Sequence, residues 1–500
     1  MSTTTDKDHS QRIYQGWNES VPWAYLEPLT QNIPVDDAEK HLRPPPPRIP
    51  DVFDIFIGIS SFRDGPRCGF SLFTAFSRAK YPERVRIGLV DQTQDDDAIC
   101  VDEYCKLTVE AGWTECKYKN QIRVDAHDSK TSKGPTVARW QQQQLIQDEE
   151  FCLEIDAHSQ FLQDWDVLMV DEWKRTENEM AVLTTYPMHY DSIGPNMTRN
   201  EHIASHLCHY NARKTASEIP IISGKEVMHD SELPQMAPLW GGCLSFSKCH
   251  AERRAQNDKH MNWVFWGEEY LRSMQLWTRG YDLYSPSRHG HVVFHNWSDD
   301  KGMKKRFSDN VTQVVTQEQH DKEKDLAYNR LRLVLGLPFY GDVDATEMDK
   351  YHGGKVRTLE QFLAFSGISN VDPTLDRARC EQLHWVPYSV PKLVEDLLPG
   401  WTMRANVPVI RSVPSTTEMA ADPLLLKTLE WSLHQMANGS SRKEEMNLLR
   451  DMQHQLDELS QEPHAVLLPV ALAWLALISV WLVYRRHRST QYHGVATASA

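Results

Sequence analysis

Residues 151–156 read FCLEID, an apolar run with β-branched character that ends on a carboxylate. Other runs of this texture are VFDIFIGI at 52–59, VRIGLV at 85–90 and AVLTTY at 181–186. Helix-like segments lie between them, at 69–80, at 137–147 after a Gly-Pro start signal, and from residue 166. Strands that alternate with helices at this spacing predict an α/β domain with a mostly parallel sheet.

The composition is that of a globular protein, with 40% hydrophobic and 25% charged residues in a chain of 500. The 69 acidic residues outnumber the 54 basic ones and give a net charge of −15, so we predict no nucleic-acid partner. The nine cysteines form no Cys-x-x-Cys pair. Their odd number argues against a disulfide framework. We therefore predict reduced thiols in the cytosol, with Cys243 and Cys249 as small buried hydrophobes.

One segment near the C-terminus has the length and apolarity of a membrane span. Residues 465–484 carry no charge over 20 positions and are followed by a basic and polar tail at 485–500. Residues 1–10 contain no apolar signal-peptide core. A span so close to the chain end is typical of a tail anchor, so we predict a single-pass membrane protein whose body lies in the cytosol. Two features favour a lumenal body instead.

The first of these features is the basic tail, which under the positive-inside rule would itself be cytosolic. The second is a set of five Asn-x-Ser/Thr sequons, which could be used only in a lumen: Asn18, Asn196, Asn296, Asn310 and Asn438.

Proline and charge patterns divide the rest of the chain. Residues 1–50 end in a polyproline stretch, which predicts a Pro-rich N-terminal arm. The α/β body is predicted to occupy residues 51–390. A linker and helical spacer are predicted at 391–464, because this region contains a polar, charge-rich stretch with leucines at helical spacing.

Candidate ligating residues follow the strand at 151–156. Asp156 and His158 lie at its carboxyl end, where open α/β sheets bind ligands. A carboxylate with an imidazole suits Mn²⁺ and similar divalent cations. The alternative interpretation is that Asp156 caps the N-terminus of a helix and His158 lies on the surface, without a metal. Support comes from Arg63-Asp64 after the first strand, from the anion-suited helix start at 134–139, and from His295 in a later strand-like segment.

Several motifs in a fixed order then resemble one known family. They are WGG at 240–242, FWGEE at 265–269 and LWTRGYD at 276–282, with the Asp156-x-His158 triplet upstream. Together they are similar to the UDP-GlcNAc:polypeptide (hydroxyproline) α-N-acetylglucosaminyltransferases. VRTLEQF at 356–362, followed by FSGI, is similar to the C-terminal signature of that family. The resemblance covers roughly residues 52–370.

The resemblance implies a GT-A fold and the transfer of GlcNAc from UDP-GlcNAc to a hydroxyl of a protein acceptor, hydroxyproline or Ser/Thr, with retention of configuration. It implies that Asp156, His158 and His295 bind Mn²⁺ or Mg²⁺. Glu268 and Glu269 would be catalytic residues that contact the donor sugar or the acceptor. The residues that bind the donor would be Ser60, Arg63, Asp64, Arg139, Asp156, Trp240, Gly241 and Gly242. The WGG motif would also shape the acceptor side.

The chain departs from the expected pattern after His295. Residues 298–300 read SDD where a basic residue is expected to meet the diphosphate, although Lys301, Lys304 or Lys305 could serve instead. Glu268 and Glu269 are also typical of the first turn of a helix. Two rival functions stay open: a metal-dependent hydrolase with one of these glutamates as the base, and an inactive tail-anchored interaction protein.

Overall fold

A computed structural model describes residues 11–14, 24–194, 203–297, 307 and 315–405. The predicted membrane span at 465–484, the tail at 485–500 and most of the predicted spacer lie outside the described residues. Within the described ranges, none of the helices combines the length and the apolarity that a bilayer crossing requires.

The described residues form sixteen strands and ten helices. The strands are β1 Gln11–Tyr14, β2 Ala24–Leu26, β3 Ile55–Phe62, β4 Val85–Thr93, β5 Ile122–Asp128, β6 Phe151–Asp156, β7 Ser159–Phe161, β8 Ala181–Thr184, β9 Ile203–Ser205, β10 His209–Tyr210, β11 Ile222–Ser223, β12 Val227–His229, β13 Gln235–Ala237, β14 Leu244–Lys248, β15 Asp282–Ser285 and β16 Val293–His295. The helices are α1 Gly65–Ser77, α2 Cys100–Glu110, α3 Pro135–Gln143, α4 Trp165–Lys174, α5 Cys249–Arg254, α6 Glu268–Thr278, α7 Gln317–Val334, α8 Met348–Tyr351, α9 Leu359–Ser366 and α10 Lys392–Glu395.

An eight-stranded sheet in the order β13-β15-β8-β14-β6-β3-β4-β5 organises the body. Strands β5, β4, β3 and β6 run parallel, and all but two of the β3 residues are buried, as expected of a strand covered on both faces. The predicted strand at 151–156 is confirmed as β6. The helices predicted at 69–80, 137–147 and from 166 are found at 65–77, 135–143 and 165–174.

The sheet is mixed, whereas the sequence predicted a mostly parallel one. Strand β14 pairs antiparallel with both β6 and β8. The chain leaves β8 at Thr184, passes through the short strands β9 to β13, and returns at the same edge of the sheet, where Ser245 pairs with Thr184. A strand that enters at the edge where its neighbour ended runs antiparallel to that neighbour, and no crossover helix is needed.

Residues 24–50 pack against the body, where the sequence predicted a separate arm. Leu26 and Leu42 are buried, and the side-chain amide of Gln31 donates to the carbonyl of Pro234 at 2.9 Å. The packed body also continues past residue 390, because Leu398 and Trp401 are buried in the main core. Local sequence texture cannot show such docking, since the partners of these residues lie far away along the chain.

Eight of the nine cysteines form disulfides, so the prediction of reduced thiols is wrong. The pairs are Cys68–Cys100, Cys105–Cys116, Cys152–Cys249 and Cys208–Cys380. Partners up to 172 residues apart meet only through the fold, which is why their spacing carried no signal. Cys243 is the one cysteine outside these pairs, and it is half-buried.

Candidate metal and donor site

A cleft of about 760 Å³ opens at the carboxyl ends of β3, β4 and β6, the edge where α/β sheets bind ligands. Its floor and one wall come from the sheet edge, α1 and α3: Ser60, Asp64, Arg67, Gln92, Arg139, Gln142, Asp156 and His158. The opposite wall comes from α7 and the segment before α6: Trp263, Phe265, Trp266, His320, Lys324 and Tyr328.

Asp156 and His158 line this cleft, and His295 lies against Asp156. His295 arrives because β16 pairs antiparallel with β7, which places it opposite Ser159, just after the Asp156-x-His158 triplet. The His295 Nε2 atom lies 3.0 Å from an Asp156 carboxylate oxygen, and the His158 and His295 ring centroids are 4.5 Å apart. A residue 139 positions away is thus brought to Asp156 by strand pairing.

The electrostatics of this cluster suit a cation. Burial raises the pKa of Asp156, but the hydrogen bond with His295 and the electrostatic interactions with His295, His158 and Arg139 outweigh it and hold the pKa below its usual range. Burial lowers the pKa of His295, and with the effects of His158 and Arg67 it outweighs the raising effect of Asp156. The pKa shifts therefore favour the ionised carboxylate and the neutral imidazole, the forms that coordinate metals.

Cys243 joins this cluster. A carboxylate oxygen of Asp156, the thiol sulfur of Cys243 and a ring nitrogen of His295 all lie within 4.8 Å of one another. The sequence interpretation of Cys243 as a small buried hydrophobe missed this position.

His158 is held from behind by a carboxylate. Its Nδ1 atom lies 3.1 Å from one oxygen of Asp64, whose other oxygen accepts a hydrogen bond from Arg67 Nε at 2.7 Å. A carboxylate in this position fixes the ring orientation of a metal-binding histidine. Asp64 therefore lines the cleft as predicted, and its carboxylate also orients His158.

Arg63 does not line the cleft. Its guanidinium forms two hydrogen bonds to Asp97, at 2.6 and 3.0 Å. Ser60 does line it, and its hydroxyl donates to Gln142 Oε1 at 2.9 Å. The predicted donor residues Ser60, Asp64, Arg139 and Asp156 are thus part of one surface.

Arg139 ties α3 to two carboxylates and to the site. Its guanidinium lies 2.8 Å from Glu154, 2.7 Å from Glu268 and 4.0 Å from Asp156. It also donates to the carbonyl of Gly242 at 3.3 Å. A β-carbon on Gly242 would meet the guanidinium nitrogen at 2.4 Å, so a larger residue there would displace the end of the Arg139 side chain.

Glu268 and Glu269 begin α6 beside the cleft but have their oxygens engaged by protein groups. Glu268 accepts from Arg139 and, at 3.1 Å, from the Thr136 hydroxyl. Glu269 accepts from the Gly242 amide at 2.8 Å and from the Tyr186 hydroxyl at 2.5 Å. Burial raises the pKa of Glu268 to about 7, against the opposing charge of Arg139. Their catalytic role stays a prediction.

Trp240 is buried, with the Arg139 guanidinium 5.6 Å from its ring centroid. The Gly241 amide donates to the Thr184 hydroxyl at 2.9 Å. These residues lie behind the cleft and do not line it. The predicted contact of Trp240 and both glycines with the donor stays a prediction.

The family model for glycosyltransferase (GlcNAc) matches residues 54–112 and 102–372. These matches contain every predicted ligand and both glutamates. The chain belongs to this glycosyltransferase family. No curated protein matches the chain.

Solved structures of sugar transferases are similar to this glycosyltransferase only at low identity. GalNAc-T7 with UDP, GalNAc and Mn²⁺ is 13% identical over 63% of this chain and 57% of its own, with a TM-score of 0.40. The mannosyltransferase PcManGT of Pyrobaculum calidifontis with GDP-Man and Mn²⁺ is 10% identical over 58% and 74%, with a TM-score of 0.29. S. aureus TarS 1-349 with UDP-GlcNAc is 10% identical over 56% and 72%, with a TM-score of 0.30.

Sequence reasoning missed the cationic groups that face the glycosyltransferase cleft. Arg67 lies one helical turn after Asp64, and His320 and Lys324 lie four residues apart on one side of α7. The spacing of His320 and Lys324 was the available signal. The lysines proposed as substitutes, Lys301, Lys304 and Lys305, lie outside the described residues.

Proposed function

We propose that this glycosyltransferase transfers GlcNAc from UDP-GlcNAc to a protein hydroxyl, on hydroxyproline or Ser/Thr, with retention and with Mn²⁺ or Mg²⁺. A GT-A type of α/β fold is part of the proposal. The observation that carries it is the position of Asp156 and His158 in one cleft, with His295 against both of them, in a chain of this family. The name of the family supports GlcNAc as the sugar.

The donor set fits a divalent cation, because it combines an ionised carboxylate with two imidazoles. Such a cation, when bound, acts as a Lewis acid toward the diphosphate leaving group. Arg67 and Lys324 line the cleft and add positive charge from the protein. The N-terminal end of α3 also lines it, at Gly134 and Pro135, and a helix N-terminus suits an anion. These groups would bind and orient the UDP moiety.

Retention requires no enzyme nucleophile in this proposal. The acceptor oxygen forms a bond to the anomeric carbon on the face from which UDP leaves, the bond from that carbon to the phosphate oxygen breaks, and the acceptor proton passes to the departing phosphate. The engagement of Glu268 by Arg139 and Thr136, and of Glu269 by Gly242 and Tyr186, supports this, because both carboxylates already serve protein contacts.

UDP release by the purified full-length chain tests the donor. We expect turnover of UDP-GlcNAc in the presence of Mn²⁺, weaker turnover of UDP-GalNAc and UDP-glucose, and none after chelation. Free GlcNAc formed at the same rate as UDP, with no gain from an acceptor, would instead identify a hydrolase. No UDP binding by calorimetry would favour the inactive interaction protein.

Peptides that differ at one residue test the acceptor. A matched series with hydroxyproline, serine, threonine or proline at the centre should accept sugar only where a hydroxyl is present. Transfer to the proline peptide would contradict the proposal, because proline offers no acceptor oxygen.

We also propose that the body of the enzyme folds in an oxidising compartment, which reverses the cytosolic expectation. The four disulfides support this, since such bonds are rare in the cytosol. An anchor at 465–484 with its basic tail in the cytosol would agree with the positive-inside rule. The body should then resist protease in sealed organelles. Digestion there, together with nine titratable thiols in the isolated protein, would overturn the proposal.

A further inference from the structure

We propose that Cys243 is a ligand of the metal, so that the site offers oxygen, nitrogen and sulfur donors. The resemblance assigned only Asp156, His158 and His295 to the ion. The inference rests on the proposed function for the presence of a metal at this cleft, but its test measures metal binding alone. It therefore stands or falls separately from sugar transfer.

The distances fit a shared ion. Bonds of about 2.0–2.3 Å to nitrogen, oxygen or sulfur place two ligands of one ion at most roughly 4.5 Å apart. The candidate atoms of Asp156, Cys243 and His295 all lie within 4.8 Å of one another. This upper bound on their separations is close to the limit for ligands of one ion.

The register of β14 on β6 places Cys243 beside Asp156. In the antiparallel pair of β14 with β6, Leu244 is opposite Ile155. Continuing that register by one residue places Cys243 opposite Asp156, and opposed residues of an antiparallel pair project from the same face with β-carbons about 4.5–5.5 Å apart. The preceding backbone is fixed by the hydrogen bonds from Gly241 to Thr184 and from Gly242 to Glu269.

A second observation concerns the His295 ring itself. His295 is buried, and its Nδ1 atom has no hydrogen-bond partner among the described residues, while Nε2 contacts Asp156. A buried ring nitrogen without a partner is costly unless a ligand satisfies it. The cluster thus contains a thiol outside any disulfide, and the His295 ring has one nitrogen beside Asp156 and the other without a partner among the described residues.

A sulfur ligand changes which metals the site prefers. Thiolates favour Zn²⁺, Co²⁺ and Cd²⁺ over Mg²⁺, which prefers oxygen. The sulfur–metal bond forms as the thiol proton is released to solvent. The site should therefore bind Zn²⁺ and Cd²⁺ more tightly than Mg²⁺, and Cys243→Ser should reduce that difference.

Cadmium titration of the metal-free full-length chain, under non-reducing conditions, tests this directly. Since the other eight cysteines are in disulfides, Cys243 alone can give a thiolate-to-cadmium charge-transfer band. We expect one ion per chain, no band in Cys243→Ser, and affinity at least about tenfold weaker in Asp156→Asn and in His295→Gln. No band in the wild-type chain, or a band that both of these variants leave unchanged, would overturn the proposal.

Alkylation of the wild-type chain gives a second test that needs no variant. Iodoacetamide should modify Cys243, and saturating Zn²⁺ or Cd²⁺ should slow the reaction at least about tenfold, whereas Mg²⁺ at the same concentration should not. Equal rates with and without Zn²⁺ would contradict sulfur ligation. Protection of Cys243 without UDP release would support Cys243 as a metal ligand and contradict sugar transfer. Mn²⁺-dependent UDP release without protection would support sugar transfer and contradict Cys243 as a ligand.

Discussion

Glu154 and Asp156 lie two residues apart on β6 and face the same side of the sheet, yet their surroundings differ. The Glu154 side chain is 5% exposed and paired with Arg139 at 2.8 Å. The Asp156 side chain is 31% exposed, beside His295 and Cys243. Two carboxylates of the same strand thus occupy a closed ion-pair cluster and an open binding site.

The pKa values of the two carboxylates shift in opposite directions. Burial raises the pKa of Glu154, against the charge of Arg139. Asp156 has its pKa lowered by His295, His158 and Arg139, although burial alone would raise it. Environments that push two similar groups apart mark a division of roles. We infer that the cluster of Arg139, Glu154 and Glu268 stabilises the fold and that Asp156 binds the ligand.

The largest expected effect separates these roles by activity. Asp156→Asn should lower the turnover of UDP-GlcNAc at least about 10³-fold, because it removes the anionic ligand of the metal that stabilises the leaving group. The free energy of unfolding should change by less than about 2 kcal/mol. UDP release and urea denaturation measure the two quantities.

Asp54→Asn is the matched control for that variant. Asp54 precedes β3 at the opposite end of the strand, and its carboxylate pairs with Arg86 at 3.0 Å on a partly exposed surface. Its activity should equal that of the wild type. A fully active Asp156→Asn enzyme would remove the basis for placing the metal at Asp156.

The next effect acts on stability through the closed cluster. Arg139→Met should destabilise the fold by about 3–5 kcal/mol, because it leaves Glu154 and Glu268 buried without their cation. Replacing both glutamates by glutamine in the same chain should restore most of the loss. If the triple variant is no more stable than Arg139→Met, the loss comes from packing against Trp240 and not from unpaired charge.

Much of the floor of the site was predictable because it is local. The position of Asp156-x-His158 follows from the buried strand that it ends, since ligands bind at the carboxyl ends of parallel strands. His295 required the family resemblance, because 139 residues separate it from Asp156 and only the pairing of β16 with β7 connects them. Strand identity was thus a local property, and strand pairing was not.

The parts that sequence reasoning missed all depend on pairing or docking. Cys243 reaches the site through the antiparallel register of β14 on β6, which a prediction of a mostly parallel sheet could not give. The disulfide Cys208–Cys380 joins segments 172 residues apart. Lys324 faces the cleft only because α7 packs over it. The first two of these contacts leave no pattern in the neighbouring residues, whereas the spacing of His320 and Lys324 was the available signal for the third.

A smaller effect should appear in the pH dependence of stability. With its pKa raised from 4.5 to about 7, folded Glu268 keeps its proton where the unfolded chain has lost it. Since the folded state binds more protons there, stability falls as pH rises from about 4.5 to about 7. The free energy of unfolding of Glu268→Gln, relative to that of the wild type, should therefore increase by roughly 3 kcal/mol between about pH 4.5 and about pH 7.

Urea denaturation of Glu268→Gln and wild type at pH 4.5, 6 and 8 measures the change. Equal m values at each pH would show that both proteins unfold over the same surface. A difference in stability that stays constant across the three pH values would mean that Arg139 keeps Glu268 ionised throughout, and the closed cluster would then be a permanent ion pair.

The smallest effect concerns Asp64, which holds His158 from behind at 3.1 Å. Asp64→Asn should weaken Mn²⁺ binding by about tenfold, since a carboxylate behind a ligating histidine fixes the ring and raises its basicity. At saturating Mn²⁺, kcat should recover most of the wild-type value. Titration followed by the Mn²⁺ electron paramagnetic resonance signal gives the affinity without requiring turnover.

Asp97→Asn provides the comparison for Asp64, because Asp97 pairs with Arg63 beside the cleft without lining it. Its Mn²⁺ affinity should match that of the wild type. A kcat that stays low in Asp64→Asn at saturating Mn²⁺, with unchanged metal affinity, would place Asp64 on the donor, as the resemblance implied. The hydrogen bond between Asp64 and His158 would then not be needed for metal binding.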